Sequence, residues 1–298
     1  MKKILFTLLL FSLLCVQGWA QEEDLLSLLE EDDAEETTEY VTASFKANRV
    51  INLHSLENTA AGVLDIKIGH RFGTLNGGFY ELFGLDQASI RIGGDYGITK
   101  QLMIGLGRSS FEKTYDGFIK YKFLRQSKGK RNMPISAAFL ATTAIQTLRW
   151  QNPDRDNLFS SRFYHTFQLI AGSKINEQIS LQFSPTLVHR NLVATNEEEN
   201  DVYALGIAGR IKLTKRVALN AEYIYVLPDQ IAPEFQNSFS IGFDIETGGH
   251  VFQLHFSNST SMIEKGYIAE TVGDWGDGGI HFGFNVSRVF TIQKPKIK

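Results

Sequence analysis

From Leu64 onward, apolar and polar side chains alternate one for one, in segments of about ten residues. A period of two is that of a β-strand, in which successive side chains face opposite sides. Leu64, Ile66, Ile68, His70 and Phe72 fall on one face, with Asp65, Lys67, Gly69 and Arg71 on the other. The pattern returns at Ala88 to Tyr96, Phe163 to Leu169, Ile179 to Phe183, Tyr203 to Ile207, Val217 to Tyr225, Phe239 to Ile245, Phe252 to Phe256 and Phe282 to Val286. Weaker segments near 102–109, 117–124 and 134–146 bring the expected number of strands to twelve.

The connections follow a second rhythm. Longer stretches (73–86, 109–116, 147–161, 191–201, 228–236, 258–279) take turns with shorter ones (97–101, 125–133, 173–178, 214–216, 246–249). Only 125–133 breaks the size order. An even number of antiparallel strands, with long loops at one rim and short turns at the other, is the pattern of an outer-membrane barrel. The expected fold is therefore all-β: a transmembrane antiparallel β-barrel of about twelve strands, with long extracellular loops, short periplasmic turns and both termini in the periplasm. A soluble barrel or sandwich also alternates, but twelve faces this aromatic would overfill its interior. On the membrane reading, an Arg at Ile92 or Phe243 meets hydrocarbon, whereas one at Ser89 or Ser240 meets the lumen and should cost less.

The N-terminal region has a different texture. Lys2 and Lys3, the apolar run Ile4 to Val16 and the small-residue site before Gln21 have the form of a secretory signal peptide over 1–20. That run is too short to span a bilayer, and no later stretch has the length of a membrane helix. The sole cysteine, Cys15, lies inside the signal, so a mature chain starting at Gln21 has no disulfide, Cys metal site or Cys nucleophile. Residues 22–39 carry ten acidic and no basic residues, and the 28 basic and 23 acidic residues after Glu39 make a mildly basic body. The expected division is an acidic, disordered periplasmic extension over 21–40, a segment 41–60, the barrel over 61–292 and a basic tail over 293–298. The extension could dock a basic periplasmic partner through 22–39. Residues 41–60, in which Val41, Ala43 and Phe45 alternate with Thr42, Ser44 and Lys46, fit either an extra strand or a segment tucked into the lumen.

Three stretches carry a resemblance: HRFGTLNGGFYELFGLDQASIRIGGDYGIT at 70–99, MIGLGRSSFEKTYDGFIKYKFLRQS at 103–127 and GDWGDGGIHFGFNVSRVFTI at 273–292. Over Val41 to Ile292 the chain resembles an uncharacterised outer-membrane β-barrel family of Bacteroidota, a domain of unknown function. The resemblance implies an outer-membrane location and brings no functional residues with it.

Candidate chemistry is sparse. His255 and Ser257 lie two apart on one strand and point the same way, so the imidazole could take the hydroxyl proton, as in outer-membrane phospholipases and lipid A deacylases. That would make the chain a lipid-modifying hydrolase. No residue can be fixed in place to orient the His, however, and both side chains face the lumen rather than lipid. By alternation the lumen also receives Lys67, Arg71, Arg91, Lys120, Lys122, Arg210 and Lys212, with Asp65, Asp95, Glu222, Asp244 and Glu246. Seven positives against five negatives could make a weakly anion-preferring pore, or opposite charges could pair and block it. Asp274-Trp275-Gly276-Asp277-Gly278-Gly279 lacks the ligand spacing of a calcium loop and reads as a Gly-rich tip with an interfacial Trp. The scattered histidines suggest no metal site, and no motif calls for a cofactor or nucleic acid. The expected function is a non-enzymatic solute channel, binding barrel or structural barrel whose partner is the outer-membrane bilayer.

Overall fold

In the computed structural model, the described residues are 37–150, 152–195 and 198–294. The signal segment, most of the acidic extension and the end of the basic tail lie outside them. The strands are β1 (Thr38–Tyr40), β2 (Val63–Thr74), β3 (Ala88–Gly97), β4 (Leu102–Ser109), β5 (Thr114–Leu124), β6 (Ser127–Gly129) and β7 (Ser136–Gln146). They continue as β8 (Phe163–Lys174), β9 (Ile179–Arg190), β10 (Asp201–Lys212), β11 (Val217–Val226), β12 (Ser238–Thr247), β13 (His250–Ser257) and β14 (His281–Thr291). Among the described residues one short α-helix, α1 (Glu264–Ala269), sits in the longest loop.

All strands except β1 and β6 form one closed barrel of twelve, each antiparallel to its neighbours, as the alternation predicts. Pairing of β14 with β2, from His281↔Thr74 to Thr291↔Val63, closes it, so the sheet has no free edge.

The two faces separate as the pleat requires. Leu106 is 73% exposed, Ile119 57% and Ile92 53% on the outside, while Asp65, Arg91 and Asp95 on the same sheet are buried inside. Aromatics tile the outer wall in cross-strand stacks such as Phe72 with Phe282 at 5.8 Å. Near the long-loop rim the apolar surface gives way to a polar ladder. Thr143 Oγ1 lies 3.0 Å from His165 Nδ1, His165 stacks on His189, and His189 Nδ1 lies 2.6 Å from Asp201 Oδ1.

The turn that broke the size order has a structural reason. It carries β6, which pairs with β1 from the N-terminal side, setting Glu39 opposite Lys128, with the Arg125 guanidinium 4.2 Å from the Tyr40 ring. The end of the segment read as a disordered extension is thus a strand.

Residues 43–58 lie inside the barrel, and we call them the cork. They fold as a narrow hairpin: Arg49 and His54 bridge antiparallel, Ser55 N donates to Asn48 O at 3.0 Å, and Val50 N donates to Leu53 O at 2.7 Å. Both ends of the hairpin meet the short-turn rim. Val41 N donates to Gln126 O at 2.9 Å, and Gly62 N donates to Gly97 O at 2.8 Å. Gly97 is needed there, because a Cβ would come within 2.4 Å of the carbonyl oxygens of Thr59 and Ala60.

Phe45, Val50, Leu53 and Leu56 of the cork join inward-facing Phe118, Leu140, Ile170, Val188, Val202 and Ile224, with Tyr267 and Ile268 of α1, in one buried apolar cluster. The lumen therefore has a packed core of its own, and this changes what inward substitutions do. An Arg at Ile92 or Phe243 is expected to cost about 2–4 kcal/mol from lipid exposure alone. Ser240, expected from alternation to tolerate Arg, is fully buried and accepts from Asn52 Nδ2 at 3.1 Å, so Arg there must displace the cork. Folded yield in detergent should fall for Ile92→Arg, Phe243→Arg and Ser240→Arg and hold best for Ser89→Arg, at the start of β3 on the long-loop rim.

Candidate functional site: the corked lumen

The cork is held by side chains from nine of the twelve wall strands. Its tip presents three successive amides to one carboxylate: Ile51, Asn52 and Leu53 N–H donate to Glu222 at 3.2, 2.9 and 3.1 Å. Converging backbone amides of this kind form an anion nest, and hydrogen bonds to a charged acceptor are the stronger sort. Cations of the wall bind the cork's carbonyls in turn. Lys120 Nζ donates to Ser55 O and Glu57 O, both at 2.6 Å, and Arg210 Nη1 donates to Ala43 O and Ser44 O, both at 3.2 Å.

Neutral amides and one more guanidinium complete the fastening. Gln182 Nε2 donates to His54 O at 2.7 Å, Gln253 Nε2 to Val50 O at 2.7 Å and Asn285 Nδ2 to Ile51 O at 3.2 Å. Arg71 Nη2 donates to Asn52 Oδ1 at 2.8 Å, and Asn48 Nδ2 of the cork donates to Asp95 Oδ2 at 2.9 Å. A buried carbonyl or amide costs free energy unless it is bonded, so these contacts let a stretch with few internal bonds lie in a dry interior.

The other inward charges are placed as follows. Lys67 Nζ lies 3.3 Å from Asp95 and 3.5 Å from Asp65, and Arg49 of the cork lies 3.9 Å from Asp95. Arg91 pairs with Asp116 in a two-pronged contact, Nε donating to Oδ1 at 2.9 Å and Nη2 to Oδ2. Asp244 accepts from Gln253, Lys122 lies 4.0 Å from Glu57, and Glu246 pairs with Lys46 of the cork. Lys212 is half-buried at the short-turn end and takes part in none of these contacts.

Sequence reading missed Asp116, because residues 109–116 were read as a connection. Extending the alternation of Phe118 and Lys120 back two residues would have placed it inside. It also missed Arg49, His54 and Glu57, whose segment shows no clean period.

Loop 258–280 closes the opposite end. α1 is wholly buried, and Lys265 Nζ is bound by Glu270 at 2.8 Å and Glu112 at 3.0 Å, beneath the Tyr164 ring at 4.3 Å. Burial opposes charge on Lys265, but the two carboxylates outweigh it and hold the ammonium above its ordinary range. Glu264 of the same helix lies 3.3 Å from His54 Nε2, joining loop to cork, and burial raises its carboxyl.

Nearby, Asp274 and Asp277 turn their carboxylates onto the Gly276 and Gly279 amides at 2.7 and 2.8 Å, and Trp275 donates Nε1–H to Phe239 O at 3.1 Å. Among the described residues, no group of three His, Cys, Asp or Glu side chains is placed to hold a metal.

His255 and Ser257 do share a side of β13, and both are buried in the lumen. No hydrogen bond joins them: Ser257 Oγ accepts from Ser240 Oγ at 2.9 Å and from Ser259 N at 3.2 Å, while neither His255 nitrogen has a partner.

The chain is similar to the NanC porin at 7% identity, covering 76% of this chain and 98% of that one with a TM-score of 0.46. It is similar to the COG4313 outer membrane channel from Pseudomonas putida F1 at 13% identity, covering 79% and 98% with a TM-score of 0.45. Omp33 of Acinetobacter baumannii is 8% identical, with 76% and 97% covered and a TM-score of 0.39. No curated protein matches the sequence significantly. Residues 45–290, the cork and barrel together, match the family described as membrane-bound beta barrel domain DUF5777, and the chain belongs to that family.

Proposed function

We propose that this barrel is a non-enzymatic outer-membrane protein, closed at rest by its own cork, that passes or binds a small solute only when the cork moves. The aromatic outer wall and the asymmetry of its loops support the outer-membrane setting. The resemblance over 70–99, 103–127 and 273–292 adds a Bacteroidota envelope. The single observation that carries the reading is the fastening of residues 43–58 by nine strands. An open solute channel needs a water-filled lumen, and this one is packed with a hairpin whose backbone the wall binds.

The route of opening follows from the hairpin's ends. Both leave through the short-turn rim, and one is covalently continued by β2. The other end continues back through β1 toward the acidic residues 22–36. That end is the handle, and the three-residue pairing of β1 with β6 is its latch. A periplasmic partner with a basic surface that takes up residues 22–39 would act on it. Opposite charge gives such an encounter its rate and specificity.

The lipid-hydrolase alternative finds no support in the hydrogen bonding of His255 and Ser257, because proton transfer needs a bond between the hydroxyl and the imidazole and none joins them.

Planar-bilayer recording tests the proposal. Purified wild-type protein should show little conductance, and the Glu222→Ala/Lys120→Met variant should show frequent openings. A large steady conductance in wild type would remove the closed-barrel reading. A silent variant with a loosened cork would leave a structural barrel in its place.

A further inference from the structure

Between the cork and the wall formed by β2, β3, β13 and β14 lies a cavity of about 40 Å³. Its lining holds four cations, Arg49 of the cork and Lys67, Arg71 and Arg91 of the wall, and no carboxylate. Three of these cations have carboxylates elsewhere: Asp95 for Arg49, Asp65 and Asp95 for Lys67, and Asp116 for Arg91.

Arg71 is the exception. It is 1% exposed and has no carboxylate within 4 Å among the described residues. Its guanidinium donates to Asn52 Oδ1 at 2.8 Å, His70 O at 3.1 Å and Asn285 Oδ1 at 3.3 Å, all uncharged, and its Nε has no partner. Lys67 Nζ, on the same cavity, has Asp95 at 3.3 Å and Asp65 at 3.5 Å as its counter-ions.

A buried cation without a counter-ion carries a desolvation cost that a neutral amide offsets only in part. A buried guanidinium with an unfilled donor and no counter-ion, lining a small space that holds four cations and no carboxylate, suits a small anion. The volume limits its size. One water-sized particle needs roughly 10–15 Å³ of such space, so the cavity takes a few atoms at most.

We propose that this cavity binds a single small inorganic anion of chloride size, held by Arg71 and Lys67 of the wall and by Arg49 of the cork. Because its ligands come from both bodies, the anion binds the closed arrangement and not the opened one, and it stabilises closure by mass action. The inference rests on the closed geometry alone and not on any transport activity.

The test compares unfolding of the purified barrel in sodium chloride and in sodium gluconate at equal ionic strength, gluconate being too large to enter. The wild-type midpoint should rise with chloride, by an equal step for each tenfold increase above the dissociation constant. In Arg71→Gln that dependence should vanish, whatever the variant's stability in gluconate. Should that variant fail to fold, wild-type crystals grown in sodium bromide give the second reading: an anomalous peak within hydrogen-bonding distance of Arg71 Nε. Equal midpoints in the two salts, an undiminished chloride dependence in Arg71→Gln, or a cavity holding only water would overturn the proposal.

Discussion

Replacing Glu222 by Ala is expected to release the cork while the barrel stays closed. The carboxylate accepts the three tip amides of Ile51, Asn52 and Leu53. A hydrogen bond to a charged group contributes about 1.5–3 kcal/mol, and bonds sharing one acceptor do not add in full. The expected loss is about 3–5 kcal/mol of cork docking, the scale for removing one partner of a buried charged contact. The barrel ladders do not depend on that carboxylate, so the folded form should persist on unheated gels. Amide exchange at 51–53 should accelerate by roughly two to three orders of magnitude, since each 1.4 kcal/mol is about a factor of ten. Glu222→Gln keeps an acceptor and should lose less. Equal protection in Glu222→Ala and wild type would mean that the nest does not hold the tip.

The second large effect belongs to the wall itself. Asp116→Ala leaves the buried Arg91 guanidinium without its two-pronged acceptor, and breaking one side of such a pair costs about 3–5 kcal/mol. Urea unfolding in lipid vesicles should show that loss. The double variant Arg91→Leu/Asp116→Leu should recover most of it, because a buried ion pair replaced by apolar side chains of similar volume is often near neutral. Failure of the double variant to recover would assign Arg91 a role beyond its pairing with Asp116, and the anion cavity it lines is the place to look.

The strands were legible because one physical fact, lipid on the outside, writes itself at every second residue. Ile90, Ile92 and Tyr96 alternate with Ser89, Arg91 and Asp95 without regard to what the lumen holds. The same fact gives the facing of the inward charges and nothing of their partners. Glu222 reads as a lumen carboxylate, yet its ligands are backbone amides about 170 residues away in sequence. The cork escaped for a related reason. A hairpin whose bonds go to wall side chains, such as His54 O to Gln182, needs no hydrophobic period, so residues 41–60 remained open between strand and lumen segment. His255 and Ser257 show the limit from the other side. Alternation sets them on one face, but only cross-strand register reveals that Ser257 bonds Ser240, opposite it on β12, and not His255.

The central claim is that residues 43–58 occupy the lumen in the resting protein, and hydrogen–deuterium exchange on the unmodified barrel in lipid tests it most directly. Peptides covering 48–56 should exchange as slowly as those of the wall strands, while peptides from loop 147–161 exchange fast. If 48–56 exchanged at the rate of that loop, the cork would not be seated and the closed-barrel account would fail.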